Sequence, residues 1–207
     1  MQRQKYNENV FINCPFDAAY KPLFDAMIFA VYDCGFVARC ALEEDDGSRI
    51  RVQKIYEIIS ECRLAIHDLS RVEIDETTRL PRFNMPLELG VFLGAKYFGS
   101  NKQKRKACLI LDVEKYRYQR FISDIAGQDI REHGNDAKIM MGVVRNWLRG
   151  YSEKSIPSGS IIWDRYQAFN DDLPLLCKEL KLNVKELIYN DYVLLASDWL
   201  EVNSDWT

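Results

Sequence analysis

Short unbroken apolar runs alternate along this chain with longer stretches whose apolar residues return every three or four positions. The run Val10-Phe11-Ile12-Asn13-Cys14 is closed by Pro15 and predicts a buried first strand leading into a loop through Asp17. Leu23, Met27, Ile28 and Val31 recur at helical spacing, and Gly35 ends that helix. Residues 36–40 predict a second strand. Behind the polar turn at residues 43–48, Ile50, Ile55, Ile58 and Ile59 mark a second helix. Arg63-Leu64-Ala65-Ile66-His67-Asp68 predicts a third strand with a polar C-terminal end, and residues 106–111 a fourth. Between these two lie a polar insert, residues 71–82, and a helix from Asn84 to Gly99.

Strands alternating with helices of this length imply an α/β fold: a flavodoxin-like, doubly wound parallel sheet of about four to five strands in the order 2-1-3-4, with a helical C-terminal extension. From residue 114 the pattern reads as helical and polar, interrupted by Gly127, with His133 on its surface. Ile139, Val143, Val144, Trp147 and Leu148 give residues 137–149 an amphipathic face. Residues 151–159 read as a linker, which divides an α/β domain, 1–150, from a helical extension, 151–207. That extension reads as an antiparallel pair broken near Pro174 and Asn183. Its aromatic stripe, including Tyr166, Phe169, Tyr192 and Trp199, is expected to pack as core, with an oligomer contact as the other reading.

In doubly wound sheets ligands sit beyond the carboxyl ends of the strands. The loops after the first and third strands, with Asn13, Cys14, Pro15, Phe16 and Asp17 on one and His67, Asp68 and Ser70 on the other, should therefore share a cleft with the helix that starts at Asn84 and Met85. That helix carries Glu88 in apolar company, Leu87, Leu89, Val91 and Phe92, with Asn84 as N-cap and Pro86 in the first turn. The helix dipole favours an ionised Glu88, whereas desolvation opposes it. Gly90 and Gly94 share one face and call for a close approach by a strand or a ligand to offset their cost in a helix. Gly47-Ser48-Arg49 and Arg51 stand at another helix start, where they either contact phosphate or form a solvated turn.

Charge is nearly balanced, 28 Lys plus Arg against 31 Asp plus Glu in 207 residues, so a general nucleic-acid binder is not expected. No apolar stretch has the length of a signal peptide core or a membrane span, which predicts a cytoplasmic protein. The six cysteines form no C-x-x-C pair and only two histidines accompany them, so reduced buried thiols are expected, with neither a metal site nor a cofactor.

Val10-Phe11-Ile12-Asn13-Cys14-Pro15-Phe16 resembles the first strand and loop of nucleoside 2-deoxyribosyltransferases and equally that of TIR domains, with Asp17 and Tyr20 fitting loosely. Ile66-His67-Asp68 resembles the third-strand end of the deoxyribosyltransferases, and Leu87-Glu88-Leu89-Gly90 resembles both their E-x-G helix and the TIR helix that bears the NADase glutamate. The resemblance covers about half of the chain. Asn84-Met85-Pro86 stands where the deoxyribosyltransferases carry Asp-x-Gly-Thr. What the resemblance implies is an N-glycosidase acting on NAD or a related nucleotide, with NAD as substrate rather than cofactor, in bacterial antiphage defence or signalling. Glu88 and Asp68 would be catalytic, Asn13 would help to position ribose hydroxyls, and Phe16 would stack on the base. The alternative is a non-catalytic nucleotide sensor that signals to a partner protein. Besides the nucleotide, the partners allowed are a second copy of the chain or an effector protein.

Overall fold

A computed structural model describes residues 6–72, 74, 79–80 and 82–204, so part of the insert at 71–82 lies outside the described residues. Five parallel strands form one sheet in the order 2-1-3-4-5: β1 (Asn9–Asn13), β2 (Val37–Arg39), β3 (Leu64–Asp68), β4 (Ala107–Asp112) and β5 (Arg131–Glu132). Helices cover both faces, giving the flavodoxin-like arrangement expected. The crossovers are α1 (Lys21–Asp33), α2 (Arg51–Glu61) and α3 (Asn84–Phe98); α4 (Ala137–Arg149), α5 (Gly159–Glu179) and α6 (Tyr189–Val202) follow the sheet.

Side chains alternate between the two faces of a strand, and this sorts the core. Val10, Ile12, Leu64, Ile66, Leu109 and Leu111 face α1 and the C-terminal helices. Phe11 and Ala65 face the opposite way, against Ile55, Ile58 and Ile59 of α2 and Phe92 of α3. Helix α1 lies between the sheet and α4, α5 and α6, which explains why every residue from Ala26 to Val31 is buried. Phe29 packs against Tyr166, Phe169 and Trp199. The expected aromatic stripe is therefore core, continuous with that of the sheet.

Arg165 reaches the end of α1 and sits 2.9 Å from Asp33, both nearly sealed from solvent. Burial pushes Asp33 up to about 6, with the Arg165 charge pulling the other way. Arg165 also donates to the Asn203 carbonyl and Trp199 to Asp172, so α5 and α6 run antiparallel.

The second half departs from expectation in three places. Residues 114–130 form turns and short 3-10 segments around Arg117–Arg120 and Ser123–Ile125, then the two-residue β5, rather than a helix. His133, expected on the surface, is completely buried. Helix α5 continues through Pro174 instead of breaking there.

Helix α3 also differs at its start. Its N-cap is Phe83 and Asn84 is already helical, which places Glu88 in the second turn rather than the first. A Cβ built on Gly90 or Gly94 meets nothing within 4 Å, so no strand or other segment among the described residues approaches them closely. Gly99 is different: a Cβ there would lie 2.3 Å from the Ala95 carbonyl oxygen, and glycine is required for the helix to end.

Two stability measurements follow. Gly90→Ala and Gly94→Ala should each raise stability by about 0.5–1 kcal/mol in urea denaturation; a loss would mean that this face is covered in solution. Asp33→Ala, which strands a buried guanidinium, should cost about 3–5 kcal/mol, and Asp33→Leu with Arg165→Met should cost less than that single change.

Candidate functional site

Two cavities open side by side beyond the carboxyl ends of β1 and β2. The smaller, about 340 Å³, is lined by the β1 loop from Asn13 to Asp17, by Arg51, Arg82, Asn84 and Met85, and by Glu88. Asn84 and Glu88 are four residues apart on α3 and so share a face. The larger, about 580 Å³, lies between the start of α1, the loop after β2 and the start of α6. Phe16, Asp17 and Arg51 line both, so the two cavities adjoin.

Glu88 is partly buried, and burial pushes its carboxyl up to about 7 while the Arg51 guanidinium works against the rise. Desolvation therefore outweighs the nearby charge, and Glu88 changes protonation state near neutrality. Asn13 is held from below. Its Nδ2 donates to the Met85 carbonyl and to His67 Nδ1, both at 2.9 Å. Since a carbonyl only accepts, the amide orientation is determined, and His67 must present an unprotonated Nδ1. Burial first, and the Lys106 charge second, lower His67 to about 3, which keeps it neutral. Asn13 retains its Oδ1 as an acceptor for a ligand.

Asp17 caps the turn into α1 by accepting from the Tyr20 amide at 3.0 Å, and it faces Arg82 at 3.3 Å and Arg71 at 3.8 Å. This ties the described end of the insert to the cleft rim. Phe16 is 38% exposed and meets Phe24 edge-on at 5.4 Å.

Of the expected site residues, the structure brings Asn13, Cys14, Pro15, Phe16, Asp17, Asn84, Met85 and Glu88 together. It removes three. Asp68 lies in the interior with no exposed surface, on the sheet face opposite α3. Its carboxylate accepts from the Tyr20 hydroxyl and, at 2.8 Å, from the Ser70 amide, and His133 Nε2 lies 3.1 Å away. Burial alone would raise Asp68; His133, Ser70 and Tyr20 together more than offset it and hold the carboxyl below its usual range. His67, packed edge-on between Phe11 and Phe92, supports Asn13 and lines neither of the two cavities. Ser70 is buried beside Asp68. The pleat sends Asp68 to the face opposite His67, where Ser70 joins it, while His67 on the α3 face is covered by Phe11 and Phe92.

Arg51 was legible as a helix-start cation, whereas Arg82 was read as part of a polar insert and the α6 start as part of a separate helical extension. All six cysteines are free, and no cluster with metal-binding composition occurs among the described residues. No described helix is long and apolar enough to cross a membrane. No family model, curated protein or solved structure matches the chain.

A carboxyl whose folded-state value exceeds its ordinary 4.5 favours the folded chain at low pH, and this contribution is lost as the pH rises through about 7. Glu88→Gln should therefore match the wild type in urea denaturation at pH 4.5 and exceed it by about 1–3 kcal/mol at pH 8.

Proposed function

We propose that the protein is an N-glycosidase that cleaves the nicotinamide–ribose bond of NAD or a closely related nucleotide, with Glu88 as the carboxylate beside the anomeric carbon. The reading is carried by one observation: Glu88 is the partly desolvated carboxylate on the α3 wall of a sugar-sized cavity at the carboxyl end of the sheet. The C1′–N1 bond breaks with its electron pair passing to the nicotinamide nitrogen, which neutralises the ring. No acid need protonate this leaving group. The positive charge that develops on the ribose is stabilised, or captured covalently, by ionised Glu88, and water then adds to the anomeric carbon with loss of a proton. Asn13 Oδ1 accepts from a ribose hydroxyl. Asp68 takes no part at the reacting centre, because all its contacts are internal.

The withdrawal of Asp68 leaves little general acid–base machinery, and this favours a second reading in which the same cleft binds a nucleotide without turnover. Nicotinamide release separates the two. Wild type should release nicotinamide from NAD, and Glu88→Gln should lose at least a hundredfold in rate, consistent with removal of a stabilising charge. The wild-type rate should climb with pH through about 7 and level off above it, because the ionised form reacts. Equal rates for the two proteins would remove Glu88 from the mechanism; binding without release would establish the sensor.

A further inference from the structure

The larger cavity is not needed to hold a nicotinamide riboside, and its walls differ in character from those around Glu88. Apolar groups open onto it from three elements: Phe16 from the β1 loop, Leu42 from the loop after β2, and Ile188 at the start of α6, the last 61% exposed. Its back wall is rigid. Tyr189 donates to the Ala38 carbonyl at 2.7 Å and Tyr192 to the Asp25 carbonyl at 2.9 Å, stapling α6 to β2 and α1.

The charges around it are already arranged in pairs. Lys21 bonds Asp25 at 2.9 Å, Arg49 bonds Glu44 at 2.9 Å, and Lys54 donates to the Glu44 carbonyl. With Asp25 and Glu44 so paired, the exposed carboxylates Asp45 and Asp46 remain at the cavity rim as acceptors for hydroxyl and amino donors. Arg51 stands apart: it lines both cavities, its charge acts on Glu88, and no side-chain ion pair within 4 Å holds it among the described residues.

From this arrangement we infer that the larger cavity is a subsite for the distal nucleoside of a dinucleotide, its base against Phe16, Leu42 and Ile188 and its diphosphate crossing the junction at Arg51. The inference rests on the reading of Glu88 above and extends it, since it makes the preferred substrate a dinucleotide rather than a mononucleotide. It also gives the C-terminal helices a part in specificity, through the wall that α6 supplies.

Two measurements on the full chain test it. The first is the ratio of kcat/KM for NAD to that for nicotinamide mononucleotide, which should be at least tenfold in the wild type and should collapse in Ile188→Arg, a change at an exposed position that fills the cavity. A ratio unaffected by Ile188→Arg would overturn the subsite. The second is calorimetric titration with ADP-ribose, which requires no turnover: binding should weaken at least tenfold in both Ile188→Arg and Arg51→Met. Such weakening without nicotinamide release would keep the subsite and reject the glycosidase. No binding of ADP-ribose by the wild type, or equal binding by all three proteins, would reject the subsite whatever the fate of the glycosidase.

Discussion

The buried carboxylate of Asp68 is the constraint around which the working end of the sheet is built. An anion without solvent contact is tolerated only where donors replace water. Here Tyr20 ahead of α1 and Ser70 after β3 donate hydrogen bonds, and His133 after β5 places its Nε2 3.1 Å away. His133 Nδ1 accepts from the Asn135 amide, so its proton sits on Nε2, the nitrogen nearer Asp68. Tyr20 and Ser70 thereby tie the segment ahead of α1 to the loop after β3 through this carboxylate, with His133 of the loop after β5 set against it. The β1 loop, with Phe16 and Asp17, is bounded by this arrangement on one side and by the Asn13–Met85 bond on the other.

This division of labour follows from the two-residue period of a strand. On the α3 side of the sheet, Asn13 and His67 are paired neighbours in the register of β1 and β3, and they orient a group that faces the cleft. On the α1 side, Asp68 ties loops together out of reach of any ligand. Two adjacent polar residues at the end of one strand thus serve unlike purposes.

Much of the sheet was readable from the alternation of apolar runs and helical periods, including strand order and the position of the cleft. The nearness of the β1 loop to the start of α3 followed from the rule for doubly wound sheets. The separation of His67 from Asp68 was also implicit in the sequence, because neighbours on a strand diverge. His133 left no such trace: Glu132, Gly134 and Asn135 around it are polar, and only the pairing of β5 with β4 carries it inward. The bareness of Gly90 and Gly94 was equally invisible, since composition cannot distinguish a glycine that admits a neighbour from one that faces open space. The unbroken apolar run in α1 did contain a signal, for a helix apolar on all sides must be covered on all sides.

That covering has a temporal side. Phe29 is enclosed by Phe169 and Trp199, residues translated long after it. At ordinary elongation rates roughly ten seconds or more pass between the emergence of α1 from the ribosome and that of α6. Throughout that interval one of the most apolar helices of the nascent chain lacks its lid, and its outer stripe stays uncovered until the last two helices close over it.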